Sequence, residues 1–159
     1  VGMDQNWGLD HGCWAVVKKM FPKADIPIVE MSLDRYRHPL WHYELAKELS
    51  ALREKGVLIM GSGNIVHNLG MMDWQADEGF DWANRANETM KKLIEGSEHR
   101  QLVKYGSLGK EINLAVPTPE HYLPLLYILG LKRKNENASF FNDKTVLGSI
   151  SMTSVKIEN

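Results

Sequence analysis

Between Pro39 and Lys55 the apolar residues Leu40, Tyr43, Leu45, Ala46, Leu49 and Leu52 recur at helical spacing, and Gly56 stands where a C-terminal cap is expected. That stretch predicts a helix. Upstream, Trp14, Val16, Val17, Met20 and Phe21 fit a shorter helix over 12–21 that Pro22 closes. Two other runs have a different pattern. Ile26-Pro27-Ile28-Val29-Glu30-Met31-Ser32-Leu33 is β-branched and bounded by turn residues, and Val57-Leu58-Ile59-Met60 is continuously apolar before Gly61-Ser62-Gly63-Asn64. Both predict buried strands, the second followed by a tight turn. Residues 71–80 lack periodicity and predict a loop. A helix resumes from Phe80 to Glu95 and stops at Gly96-Ser97, a short one is expected over 99–106, and 107–117 reads as irregular. Thr118 as N-cap and Pro119 at the first helical position lead into a helix over 120–129, stopped by Gly130, with Pro124 disturbing its first turn. After a polar turn over 132–137, Lys144 to Ile157 predicts a closing strand or hairpin. Strand, helix, strand predicts a parallel α/β unit. The 159 residues are expected to form a single domain.

Composition narrows the function classes. The formal charge of −1 leaves no basic excess for a phosphate backbone, and Lys132-Arg133-Lys134 is the only basic run, so nucleic acid is not an expected partner. No apolar stretch reaches the roughly 18–20 residues that span a bilayer, and no leader opens the chain, so a membrane is not expected either. Cys13 is the single cysteine, and with eight Met residues it suits a reducing, cytoplasmic interior. The chain opens on Val1, and Trp7 and Asp10-His11 already read like the middle of a structured protein. An upstream segment is therefore expected.

Three histidines stand at expected element junctions: His11 in Gly8-Leu9-Asp10-His11-Gly12, His67 after Ser62-Gly63-Asn64, and His121 in Thr118-Pro119-Glu120-His121. His67 lies beyond the carboxyl end of an expected strand, where open α/β sheets bind ligands. His121 lies in an expected first helical turn, whose dipole favours the neutral imidazole. Asp10 is placed to accept the second N–H of His11. A lone histidine of this kind is more often a packing or capping residue, and only the three together point to a metal or acid–base centre. His38 and His42, four apart, lack the HExxH pattern and are expected on a solvated face. The five Trp residues are expected mostly to pack in the core or a lid. Gly61-Ser62-Gly63 lacks the spacing of a phosphate loop, Ser62 that of a hydrolase elbow, and Cys13 that of a thiol protease.

Four strings carry a resemblance: Trp7-Gly8-Leu9-Asp10-His11-Gly12-Cys13-Trp14, Ala24-Asp25-Ile26-Pro27-Ile28-Val29, Gly61-Ser62-Gly63-Asn64-Ile65-Val66-His67-Asn68-Leu69 and Pro117-Thr118-Pro119-Glu120-His121-Tyr122-Leu123-Pro124-Leu125-Leu126. In order and content they resemble the 4,5-DOPA extradiol dioxygenases of the class III, LigB-like ring-cleavage family, and Gly148-Ser149-Ile150-Ser151-Met152 resembles that family's ending. Cys13 stands where Thr or Ser is usual and Glu30 where Gln is common.

The resemblance implies an α/β fold with a central mixed sheet flanked by helices, and a non-haem Fe(II) or Zn(II) site that opens a small aromatic diol, a DOPA-like catechol, with O₂. It implies His67 and His121 as metal-site residues, with His67 either a ligand or the proton carrier, and His11 as an acid–base or hydrogen-bonding group beside the substrate. It covers only the C-terminal portion of such an enzyme. A missing N-terminal segment is expected to supply further metal ligands, so the 159 residues alone are expected to bind metal weakly and be inactive. Two rivals remain: a non-catalytic zinc-binding protein on the same scaffold, and a metal-independent α/β interaction domain.

Overall fold

The computed structural model describes residues 2–159 and resolves two compact units, Val1–Asp34 and Arg35–Asn159. In the first, helix α1 (His11–Met20) starts where the Asp10 carboxylate accepts from the Cys13 backbone N–H at 2.8 Å, a regular N-cap. The Asp10 N–H in turn donates to Glu30 at 2.8 Å. No described residue of this unit is buried, and 26–33 carries no regular element. The strand expected there does not form because a strand needs a hydrogen-bonded neighbour, and no described residue provides one.

The second unit holds the core. Helix α2 (Pro39–Glu48) runs almost directly into the single turn α3 (Ser50–Arg53), and Gly56 ends them with φ +76°, as its expected capping role requires. Helix α4 (Asp81–Glu95) buries Ala83, Ala86, Asn87, Met90 and Ile94, one stripe at helical spacing. Helix α5 (His99–Val103) follows, then α6 (Lys110–Ala115), which occupies a stretch expected to be irregular; its buried Ile112 and Ala115 anchor it against α4.

Helix α7 (Leu123–Leu131) is apolar almost all round and correspondingly buried. It begins three residues later than expected, at the position where Pro124 falls in the first turn and its missing N–H costs nothing. Gly130 is not its stop. A Cβ there would lie 2.6 Å from the Tyr43 carbonyl oxygen and 2.8 Å from the Ala46 Cβ, so this glycine lets α7 press directly onto α2.

The tail forms two antiparallel pairs. Strand β1 (Asn137–Phe141) pairs with β4 (Ser154–Glu158), and the short β2 (Thr145–Val146) with β3 (Ile150–Ser151). The tail hairpin expected over 144–157 is present, with β1 as an addition. Asp143 ties it to α4: it pairs with Lys91 and accepts from Asn87 at 3.2 Å and Thr153 at 2.9 Å. Burial alone would raise the Asp143 carboxyl, but the hydrogen bonds from Lys91 and Thr153 outweigh it and hold the group below its ordinary value. Residues 57–60 have no strand partner among the described residues, and Val57, Leu58 and Met60 are exposed. The buried strand expected there is thus corrected for the same reason as 26–33.

Several side-chain expectations change too. Trp7, Trp14, Trp41 and Trp74 are exposed rather than packed in a core. His42 is fully buried and not on a solvated face, its Nδ1 3.0 Å from the Tyr127 hydroxyl across the α2–α7 contact, while His38 caps α2 by accepting from the Leu40 N–H at 3.1 Å.

Candidate functional site

The imidazoles of His67 and His121 lie face to face, their centroids 3.6 Å apart and their planes within 19°. Neither residue is on a long element; backbone contacts between the strings that carry them hold the pair. The Asn64 N–H donates to the His121 carbonyl at 2.8 Å, and the His67 N–H to the Ala115 carbonyl at 2.8 Å. A Cβ at Gly61 would lie 2.8 Å from the Pro124 carbonyl oxygen, and one at Gly63 would overlap the His121 carbonyl. Gly61 and Gly63 are therefore needed for close approach to the start of α7, and neither has a positive φ.

The C-terminal string closes the other side. His67 bridges Ile150, the Ser151 N–H donates to the Val66 carbonyl at 2.9 Å, and the Asn68 N–H donates to the Ser149 carbonyl at 3.1 Å. Side chains repeat the link: Ser149 Oγ donates to the Asn68 carbonyl at 2.7 Å, Asn68 Nδ2 to the Leu114 carbonyl at 2.8 Å, and Asn64 Nδ2 to the Ser151 carbonyl at 2.7 Å. Ser149 and Ser151 are fully buried, so these bonds replace water that the backbone of the His67 loop cannot reach.

Electrostatics favour a neutral ring at His67. Burial first, then the neighbouring His121, lowers the His67 pKa below its ordinary value. A neutral imidazole can accept a proton or bind a metal ion. Beside the pair, the Glu120 carboxyl is held below its ordinary value by its own backbone N–H, against the effect of burial, with help from the Thr118 hydroxyl at 2.9 Å, Arg35 and His121. Glu120 Oε2 is buried and has no hydrogen-bond partner among the described residues.

His11 belongs to the first unit, where it is the first residue of α1, exposed, with its ring edge-on to Trp14 at 5.1 Å. Cys13, half-buried in α1, has its thiol pKa raised by burial, Glu30 and Asp10, which removes it further from nucleophilic use. Among the described residues no group of three or more His, Cys, Asp or Glu side chains is placed to hold a metal ion. Sequence reasoning missed Glu120, Asn68 and Ser149 as site-building residues, although all three lie inside the strings that carried the resemblance.

Comparison with known proteins fits this architecture. Residues 1–154 match the family described as the catalytic LigB subunit of aromatic ring-opening dioxygenase. The chain belongs to this family. It is 43% identical over 156 residues to the 4,5-DOPA dioxygenase extradiol of Escherichia coli K12, covering 95% of this chain and 57% of that protein. It is 31% identical over 156 residues to the 4,5-DOPA dioxygenase extradiol of Beta vulgaris, covering 98% of this chain and 58% of that protein. The crystal structure of an uncharacterized Escherichia coli K12 protein superposes with a TM-score of 0.86 at 41% identity, covering 94% of this chain and 62% of that one. The α/β fold class is thereby established, and the chain spans less than two thirds of the length of these relatives. No helix among the described residues is long and apolar enough to cross a membrane.

Proposed function

We propose that this LigB-family chain is the part of a non-haem extradiol dioxygenase that holds one metal ligand and the catalytic base, and that the enzyme opens a DOPA-like catechol with O₂. The observation that carries the reading is the stacked His67–His121 pair, in a chain whose relatives bear the name 4,5-DOPA dioxygenase extradiol.

The donor chemistry suits the group the family implies. Imidazole is a good ligand for Fe(II) or Zn(II), and burial favours the neutral form of His67. Their stacking divides the roles. Nitrogen lone pairs lie in the ring plane, so two rings stacked 3.6 Å apart do not aim their lone pairs at a common point. We assign the metal to His121 and the proton to His67 on the family pattern. When bound, Fe(II) supplies the electron transfer that lets a catechol react with O₂.

His67 accepts the catechol hydroxyl proton on a ring nitrogen and returns it as the O–O bond breaks, a task suited to an imidazole with a lowered pKa. His121 keeps its orientation through the Asn64 N–H on its carbonyl, and Asn68 and Ser149 fix the loop of His67. His11 is assigned to the substrate side as a hydrogen-bonding or acid–base group on the family pattern alone.

One imidazole is short of the three protein ligands that an open site normally uses. We infer that the rest come from polypeptide equivalent to the part of the relatives' length this chain does not span. The exposed and unpaired Val57, Leu58 and Met60 support that reading, because apolar runs of this kind are stable when a neighbouring strand covers them. The free Cys13 fits a reducing, cytoplasmic setting.

The test is turnover. The full polypeptide carrying this chain is loaded with Fe(II) without oxygen, then given 3,4-dihydroxyphenylalanine and O₂ while the absorbance of a yellow ring-opened product is followed. The proposal expects product, lost in His121→Ala and slowed about 10²–10⁴-fold in His67→Ala. Bound metal without product would overturn it in favour of a non-catalytic zinc protein or another diol.

A further inference from the structure

The connection between β2 and β3 holds two consecutive residues at positive φ, Leu147 at +50° and Gly148 at +75°. Gly148 adopts that conformation freely, but a bulky residue such as Leu147 does so only where its surroundings impose it. Those surroundings are the loop over 73–80. The Leu147 N–H donates to the Ala76 carbonyl at 3.1 Å, and its carbonyl accepts from the Asp73 N–H at 3.0 Å. The Gly148 N–H donates to the Glu78 carbonyl at 3.0 Å, and its carbonyl accepts from the Phe80 N–H at 2.7 Å. Every backbone polar group of the two residues is thus used on one loop. Close packing fills what is left: a Cβ at Gly148 would lie 2.5 Å from Phe80 Cε2, and one at Gly79, which bridges Gly148, would overlap the Thr145 side chain.

The loop is itself fixed to α4. Phe80 is the N-cap of that helix, its carbonyl accepting from the Ala83 N–H at 2.9 Å and the Asn84 N–H at 3.0 Å, while Asn84 Nδ2 donates to the Gly79 carbonyl at 2.9 Å. On its other side the turn passes directly into Ser149, Ile150 and Ser151, the residues that hold Asn68, His67 and Val66. A continuous path, almost wholly of backbone hydrogen bonds, therefore joins α4 to the peptide that carries His67. The β2–β3 pair is only two residues long on each side, too short to set its own register, so the loop sets it.

We infer that the Leu147–Gly148 turn, clamped by the loop over 73–80, is a positioning element for His67, with Gly148 and Phe80 its deciding contact. The clamp fixes where Ser149 and Ile150 lie, and they fix the approach of the His67 imidazole to the substrate. The inference rests on the reading of His67 as the catalytic base. Gly148 and Phe80 act through the peptide that carries the ring, whereas His121 takes its orientation from the Asn64 N–H.

Gly148→Ala presses a methyl against the Phe80 ring, and Phe80→Leu removes the ring edge it meets, so these variants and their combination form a double-mutant cycle. The full polypeptide carrying this chain is loaded with Fe(II) and assayed with 3,4-dihydroxyphenylalanine and O₂. Gly148→Ala is expected to lower kcat at least about tenfold, with KM and Fe(II) affinity within about twofold of wild type, and Gly148→Ala/Phe80→Leu to recover most of that loss. Phe80→Leu alone, which introduces no clash, is expected to lower kcat about threefold, and it carries the test if Gly148→Ala does not fold. Glu136→Gln, which weakens the Arg53 pairing instead, is expected to keep the wild-type kcat per folded molecule. A second readout needs no turnover: the ring proton shifts of the stacked His67–His121 pair in NMR spectra of the 159-residue chain. They are expected to move in Gly148→Ala and to return in the double variant. A wild-type polypeptide that opens no catechol counts against the dioxygenase reading, and the ring shifts then decide the positioning role alone. Unchanged ring shifts in the folded variants, a kcat loss that Phe80→Leu does not relieve, or KM and Fe(II) affinity weakening in step with kcat would each overturn the inference.

Discussion

Gly63→Ala is a sharp test of how the histidine pair is assembled. The added methyl would overlap the His121 carbonyl oxygen and stand 3.1 Å from its carbon and 3.2 Å from the Pro124 Cγ. The obstructing atoms are backbone and a proline ring, so no flexible side chain can swing aside. Overpacking of this kind costs about 1–3 kcal/mol. Relief by separating the strings stretches the Asn64 N–H to His121 bond, worth about 0.5–1.5 kcal/mol more. The sum, about 1.5–4.5 kcal/mol, corresponds to a fall of roughly 3–18 °C in Tm for a chain of this size. Urea unfolding followed by far-ultraviolet circular dichroism measures it, with Gly106→Ala as the comparison. There the nearest atom to a new Cβ is Asn113 Oδ1 at 3.8 Å, and a change within about 0.5 kcal/mol is expected. A Gly63→Ala protein with the wild-type midpoint would refute the claim that close backbone contact sets the spacing of the two rings.

Other outcomes follow from the same structure. Ser149→Ala removes a fully buried hydroxyl that donates to the Asn68 carbonyl, and a loss of about 1–3 kcal/mol in urea unfolding is expected. Glu136 is buried, pairs with Arg53 and accepts from the Arg133 N–H at 2.7 Å; Glu136→Ala leaves Arg53 with only the Leu131 carbonyl and is expected to cost about 2–4 kcal/mol. The Glu136 carboxyl is held below its ordinary value, first by the Arg53 hydrogen bond, so it stabilises the fold fully above that ordinary value. The stability advantage of wild type over Glu136→Gln should accordingly be constant near neutrality and shrink as pH falls below about 4.5 towards the depressed folded value. Gly130→Ala, which would push α7 off α2, is expected to lower the urea midpoint by an amount equivalent to about 1–3 kcal/mol.

The helices were largely legible in the sequence because their signals are local. The stripe Ala83, Ala86, Met90 and Ile94 and the cap at Gly56 need no knowledge of the rest of the fold. The runs 26–33 and 57–60 were misread because a strand is a relation between two segments, and composition reports only one of them. Gly130 looked like a helix stop, since the sequence holds no trace of Tyr43 and Ala46 closing on it from another helix. Gly61 and Gly63 were likewise read as a turn, although what they permit is contact with α7. At the site, His11, His67 and His121 were singled out by their strings, and the structure brings the rings of His67 and His121 together. Glu120 and Ser149 passed unnoticed for a different reason: an orphan carboxylate oxygen and a hydroxyl on a carbonyl become informative only once burial is known.

The division of labour between the two rings is tested most directly by metal affinity. Anaerobic Fe(II) titration of the full polypeptide carrying this chain, repeated with His67→Ala and His121→Ala, compares the two losses on one scale. The account predicts near wild-type affinity in His67→Ala despite its lost turnover, and at least a roughly tenfold loss in His121→Ala, because only that substitution removes a ligand. Equal losses in the two variants would contradict it and make both imidazoles ligands.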